Sequence, residues 1–379
     1  MTKLKKEVNG GIKMKGKVKI GMLIIVGIVI LMGCYHKKSD YSSESNVKLE
    51  SNQTPAIYPE NQEQANVLKD FPDLFKAAVE SNESVKDIGM YVIPGLLNTT
   101  SVTSNEANTI VDCKSMTPQG VTVVEGYVLI SAYCHDHEHN SVLFVLDKDS
   151  HKYLKTIVLQ DQPHAGGVTY DPKGKNIWVC GRYEDKAEIV AISLANLEKY
   201  DLNQKVQPIE YSQRVELPQL KRASVITYWN QAIYVGYFAD HEEGRLETYP
   251  VDEGGKMAGK LTKEQRIRTT IDLDKSNEKD TVVRELQGIT FFKNQFFITQ
   301  SYGALEDSKL LRFTYDAEKE VFLDSDVSKI SDFPAHAEQI STYQNELFII
   351  FESAAKPYRG IEKVWVDRVL SADLNKLMD

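Results

Sequence analysis

Five segments of this chain repeat one layout: a small or polar residue, an apolar strand threaded with Thr or Ser, a tight turn, and a second apolar strand ending in aromatics. They read PQGVTVVEGYVLISAY from Pro118, HAGGVTYDPKGKNIWVCGRY from His164, RASVITYWNQAIYVGYF from Arg222, LQGITFFKNQFFITQSY from Leu286 and AEQISTYQNELFIIFES from Ala337. Aligning Val121, Val168, Val225, Ile289 and Ile340 gives spacings of 47, 57, 64 and 51 residues. Each interval holds a four-stranded antiparallel unit with its loops, and third strands such as VLFVLD after Ser141 and LLRFTY after Lys309 follow the pairs. A twisted sheet of that size buries its faces only against neighbours like itself, and radial closure removes the exposed edges. The expected fold is therefore an all-β propeller of five four-stranded blades. The last unit has little chain for a fourth strand, so the stretch around Met90 (MYVIPGLL) is expected to complete it. A six-bladed variant, with residues 88–112 opening an extra blade, is the alternative.

Before the repeats the chain changes character three times. Residues 1–33 hold seven Lys and one Glu, a local +6, so the net charge of −9 leaves −15 on the remainder. The Lys-rich head runs into fourteen apolar residues, 20–33, which rise about 21 Å as a helix, short of the roughly 30 Å of a hydrocarbon core. A charged head and a short apolar run are the grammar of an export signal, here occupying residues 1–34. Its end, Leu31-Met32-Gly33-Cys34, resembles the bacterial lipobox, which implies cleavage before Cys34 and its lipidation. An uncleaved signal anchor is the other reading, and both place the rest of the chain outside the bacterial membrane. Residues 35–64 are Ser, Asn, Gln, Glu and Lys with almost nothing to bury, the composition of a disordered tether. Residues 65–87 carry apolar positions near helical spacing, with Pro72 opening a second short helix. The propeller is expected over 88–379. Its acidity argues against nucleic acid as a partner, because phosphate binding needs a basic surface.

In a propeller the residues just before each innermost strand line the mouth of the central channel. Two positions before the aligned residues stand Gln119, Gly166, Ala223, Gln287 and Glu338; four before stand Thr117, His164, Lys221, Glu285 and His336, with Arg222 between the rings. The candidate ligand-binding set is Gln119, His164, Arg222, Gln287, His336 and Glu338, suited to a small polar or zwitterionic ligand, a peptide, a wall fragment or an extracellular protein partner. His135, His137 and His139 alternate, so in an extended segment the three rings would face one way and could share a divalent metal such as zinc; His241 falls in the corresponding loop of the third unit. Cys113 and Cys134 are expected at the top of one blade, where a disulfide would close a loop of about 20 residues and contribute roughly 3 kcal/mol. Cys180, inside a strand, reads as a buried thiol. Nucleophile elbows, phosphate loops and helical zinc motifs are absent from the sequence.

The segment HAGGVTYDPKGKNIWVCG and its cognates, over roughly residues 110–375, resemble the YncE-like, quinoprotein-like bacterial propellers. Pro118-QGV, Leu286-QGI and Gln300-SYG are similar to segments of the five-bladed glutaminyl cyclotransferases. That likeness implies cyclisation of N-terminal glutamine by a pocket glutamate, for which Glu338 is the nearest counterpart.

Overall fold

The structure is a computed structural model that describes residues 61–379 apart from 83–84, 86–89, 104–107, 185, 240–243, 258, 260–261, 269–284, 302, 305 and 362–363. The export signal, Cys34, most of the tether and His241 lie outside the described residues. Among the described residues no helix is long and apolar enough to cross a membrane.

The strands run in chain order as β1 (Tyr91–Val92), β2 (Thr99–Val102), β3 (Ile110–Cys113), then β4 (Met116–Val124), β5 (Tyr127–Cys134), β6 (Val142–Asp147) and β7 (Tyr153–Val158), which form the first blade. The second blade is β8 (Val168–Asp171), β9 (Asn176–Tyr183), β10 (Lys186–Ser193) and β11 (Gln213–Glu216). The third is β12 (Val225–Trp229), β13 (Ala232–Gly236), β14 (Gly244–Pro250) and β15 (Lys263–Arg268). The fourth uses β16 (Leu286–Phe292), β17 (Gln295–Gln300) and β18 (Ser308–Thr314); β19 (Val321–Leu323) then crosses over to pair in parallel with β15, and β20 (Val327–Phe333) returns to complete the sheet. The fifth is β21 (Ala337–Tyr343), β22 (Glu346–Phe351) and β23 (Arg368–Asp373), with β1 as its outermost strand. The register Tyr91↔Val369 and Val92↔Arg368 is the expected closure of the ring by the beginning of the domain. Strands β2 and β3 pair with each other as a two-stranded antiparallel sheet rather than a sixth blade.

Period-two alternation explains why the blades stack. In β9, Ile177 and Val179 face the first blade while Trp178 and Cys180 face the third; in β17, Phe296 and Ile298 face the third blade and Phe297 the fifth. The buried apolar residues fall into five clusters, one per interface between neighbouring blades. Four inner hairpins close with two-residue turns whose first residue (Glu125, Asn230, Lys293, Gln344) takes positive φ, the geometry that follows the twist of the strands.

The alternation also corrects the alignment at one place. Trp229↔Ala232 flanks the third blade's turn as Val124↔Tyr127 flanks the first blade's, so Ile226, and not Val225, is the counterpart of Val121. A one-residue slip reverses which face a side chain occupies, and accordingly Ile226 packs toward the second blade and Val225 toward the fourth.

The expected helical segment is present as α1 (Asn61–Val67), a turn at Leu68–Asp70, α2 (Pro72–Phe75) opening at Pro72, and a last turn Lys76–Glu80. It begins earlier than expected, because Gln64 is fully buried: its side chain accepts from Asp367 N (2.9 Å) and donates to Trp365 O (3.2 Å). Leu68, Phe71, Leu74 and Ala77 join the cluster between the fourth and fifth blades. Short helix α3 (Leu194–Lys199) follows β10 inside the second blade and α4 (Leu374–Met378) ends the fifth; Ser193 and Asp373 cap them through their side chains.

Candidate functional site

With the third blade shifted by one, the rings at the channel mouth sharpen. The residues two before the inner apolar position are Gln119, Gly166, Ser224, Gln287 and Glu338; those four before are Thr117, His164, Arg222, Glu285 and His336. Arg222 thus belongs to the ring that holds His164 and His336. The position immediately before the apolar residue is Gly120, Gly167 and Gly288 in three blades and Gln339 in the fifth.

Gln339 closes the axis. Its Oε1 accepts from Val121 N (3.0 Å) and Val168 N (2.9 Å), and its Nε2 donates to Val168 O (2.8 Å) and Ile226 O (2.9 Å). One buried amide therefore ties the inner strands of three blades to a fourth. The glycines make room for it: a Cβ on Gly120 would lie 2.6 Å from Gln339 Oε1 and 3.0 Å from Val168 N.

On the mouth side lies a cavity of about 780 Å³. Gln119, His164, Arg222 and Gln287, drawn from the first four blades, all line it, together with Asp161, Arg182, Glu184, His137 and Phe238. Two guanidinium groups and two carboxylates on one rim suit a ligand that carries both signs of charge. Arg222 is exposed and makes no ion pair with any described residue. His164 faces the opening with its ring 4.2 Å from that of Tyr133, and the surrounding protein, reinforced by Arg222, holds its pKa below the ordinary histidine value.

His336 and Glu338 do not line this cavity. They form a buried cluster beside it with Glu352, the ligating atoms of the three lying within 4.8 Å of one another. His336 Nδ1 and Glu352 Oε1 are 2.8 Å apart, and Gln119 Nε2 donates to Glu352 Oε2 at 2.7 Å, so Gln119 separates cavity from cluster. Burial, and then the charge of Glu352, raises the Glu338 pKa well above the ordinary carboxyl range. Tyr358 packs on His336 (4.4 Å between rings), as Tyr133 does on His164 (4.2 Å).

The three histidines of the 135–139 segment do not converge. That segment turns, with His137 at φ 55°, instead of extending. His135 reaches the Tyr133 hydroxyl (3.3 Å), His137 lines the cavity, and His139 Nδ1 lies 3.2 Å from Cys134 Sγ. Cys113 and Cys134 are brought together as expected, but the disulfide is not formed: both are buried free thiols, with Ser115 Oγ 3.7 Å from one sulfur and 3.8 Å from the other. Burial pushes the Cys113 thiol up to about 12; burial acts on Cys134 in the same sense, but hydrogen bonds from the Glu138 backbone, His139 and its neighbours outweigh it and hold that thiol near 7. Cys180 is a buried thiol, as its strand position implied.

Reading only the entry to each inner strand overlooks Glu352, Arg182 and Phe238. All three stand three residues past the second-strand partner of the aligned apolar residue, where the first blade has Tyr133 and the fourth Ser301. The same in-register repeat, read on the second strand, would have picked out this third ring.

No protein-family model and no curated protein matches the chain. Solved structures do. A GH43 β-xylosidase/α-arabinofuranosidase from a compost microbial metagenome is 7% identical, with 74% of this chain and 93% of that one covered at a TM-score of 0.43. The GH43_1 enzyme of Xanthomonas citri is 9% identical, over 77% and 92%, at 0.42. A protein of unknown function from Bacteroides thetaiotaomicron is 11% identical, over 73% and 75%, at 0.35. The chain spans 55% of the length of another neighbour, the hydrazine synthase of Kuenenia stuttgartiensis. The assignment as a five-bladed propeller rests on the chain's own strand order and closure.

Proposed function

We propose that this protein is a binding propeller, held outside the bacterial membrane by its N-terminal segment, that takes a small polar or zwitterionic ligand, such as an amino acid, peptide end or wall fragment, in the cavity at the channel mouth. The observation that supports it most is convergence: Gln119, His164, Arg222 and Gln287 come from four blades and meet on one cavity of about 780 Å³, within the roughly 300–1,000 Å³ usual for small-molecule sites. Arg222 and Arg182 meet an anionic end, Asp161 and Glu184 a cationic one, and the two glutamines supply amide donors and acceptors between them. Thermal shift against a panel of amino acids, dipeptides and muropeptides tests this. A ligand present at about 100 times its Kd adds roughly 2.7 kcal/mol to stability. A hit abolished by Arg222→Ala and weakened by Gln287→Ala supports the site; a panel without hits, or hits indifferent to both variants, refutes it. The anchoring part of the proposal rests on the Lys-rich head, the apolar run and Cys34. Palmitate labelling lost in Cys34→Ala supports lipidation, and absence of label from the native chain removes it.

One observation favours a second reading. Glu338, its pKa raised by burial, beside Glu352 and His336 is an acid–base set, and cyclisation of an N-terminal glutamine needs such a set: the α-amine attacks the side-chain amide carbon, the C–N bond to the leaving nitrogen breaks, and the amine's proton departs on ammonia. Access to the set requires Gln119 to swing away from Glu352. Loss of 17 Da per turnover from a Gln-initiated peptide, abolished in Glu338→Gln, is the expected signature, about the mass of ammonia; no turnover eliminates this reading and leaves the binding site standing.

A further inference from the structure

Outside the cavity and its acid cluster, one group of side chains has the chemistry of a metal centre. Cys113 ends the hairpin strand β3, Cys134 ends β5, and His139 lies beyond the turn that follows, where it bridges back to Thr103 of the same hairpin. Their Sγ, Sγ and imidazole nitrogen atoms all lie within 4.8 Å of one another, with Cys134 Sγ to His139 Nδ1 at 3.2 Å. In a tetrahedral zinc site with Zn–S near 2.3 Å and Zn–N near 2.0–2.1 Å, ligand atoms stand roughly 3.4–3.8 Å apart, so Cys134 and His139 already lie near one edge of such a tetrahedron and the distances from Cys113 to them are within about an ångström of the other edges. Both sulfurs are buried, and the two Cα positions are held by strand pairing at Thr99↔Cys113 and Met116↔Cys134. A fourth oxygen ligand is near: Asp136 Oδ2 accepts from Ser115 Oγ at 2.6 Å, and that same hydroxyl touches both sulfurs.

We propose that Cys113, Cys134 and His139 form a structural site for a thiophilic divalent cation of the zinc type, which fastens the β2–β3 hairpin to the first blade. Binding displaces the two thiol protons to solvent and leaves two thiolates and one imidazole on the ion, with the Asp136 carboxylate or a water in the fourth place. This is a different site from a ring of His135, His137 and His139, since only His139 faces the thiols. It is also independent of the ligand cavity.

Cobalt(II) is the probe. The full chain, purified in detergent under reductant, is titrated with Co²⁺, followed by the near-ultraviolet thiolate-to-cobalt band and the visible bands of tetrahedral cobalt, then challenged with Zn²⁺. The expected result is one equivalent bound, displaced by zinc, with both bands lost in Cys113→Ser and Cys134→Ser and the visible bands altered in His139→Ala. His336→Gln and the double variant His135→Ala, His137→Ala should keep the spectrum. If a serine variant fails to fold by circular dichroism, His139→Cys replaces it and should move the charge-transfer band as a third thiolate joins. Absence of a thiolate band in reduced native protein, a band that survives both cysteine variants, or a Cys113–Cys134 disulfide whose reduction still yields no cobalt uptake overturns the proposal.

Discussion

Replacing Gln339 by glutamate changes one NH₂ to an oxygen and tests whether this amide holds the axis. The acceptor bonds from Val121 N and Val168 N survive, but Val168 O and Ile226 O lose their donor and face an oxygen instead. A buried carbonyl left without a partner costs about 1–3 kcal/mol, so two give about 2–6 kcal/mol. For a propeller of this size that corresponds to a fall in Tm of about 4–12 °C at roughly 2 °C per kcal/mol. The introduced carboxyl, pressed against two carbonyls in a buried place, has a folded-state pKa above its unfolded value. Stability of the variant is therefore greatest below the unfolded pKa, about 4.3, and is lost as pH rises through the folded one. Below that window the protonated acid can donate to one of the two carbonyls, and the deficit against the native protein should narrow by about half. Gln339→Met, similar in volume, removes all four bonds and should cost at least as much as the glutamate variant at pH 7 without this pH dependence. Urea unfolding of the three proteins at pH 4 and pH 7 measures it. A glutamate variant within about 0.5 kcal/mol of native at pH 7, the range of an ordinary surface substitution, would refute the assignment of Gln339 as the axial tie.

The glycine ring makes a companion prediction. Gly120→Ala places a methyl 2.5 Å from Ser131 Oγ and 2.6 Å from Gln339 Oε1, and overpacking of this kind costs about 1–3 kcal/mol in chemical denaturation; an unchanged midpoint would mean that the inner strands are not this close. Glu338 is a buried acid whose pKa is raised on folding, so its contribution to stability is full below its unfolded pKa and is lost as pH rises through its folded pKa. Glu338→Gln should consequently raise Tm at pH 8 relative to native and give little gain at pH 4; equal effects at both pH values would contradict the shift. His164 should titrate below the ordinary histidine range in nitrogen-detected NMR, and Arg222→Ala should raise its midpoint, because the guanidinium is one of the groups that oppose its protonation. A midpoint unmoved by that substitution would separate the two side chains.

Much of the fold is legible in the chain because each blade is a local object. The inner hairpin is set by alternation over fewer than twenty residues and, in four of the five blades, by a two-residue turn, so five repeats, their order and the closing strand near Tyr91 follow from pattern alone. The one misplacement, Val225 for Ile226, arose where two adjacent β-branched residues both satisfy the apolar position, and only the faces they meet tell them apart. Four of the six proposed ligand residues line the cavity because entry to the inner strand is a fixed address in every blade.

What tertiary structure alone decided is how the rings meet across the axis. Gln119 and Glu352 are 233 residues apart and share a hydrogen bond only because closure brings the first and fifth blades side by side. Gln339 reads in sequence as one more polar residue before a strand; that it spans the axis depends on glycines in two other blades, Gly120 and Gly288, leaving the space. The turn at His137, which sends three histidines in three directions and leaves His139 with two thiols, depends on where the β2–β3 hairpin packs. Local alternation and turn chemistry are written in neighbouring residues, whereas side chains that meet at the centre of a ring are selected by the volume left by residues far away in the chain.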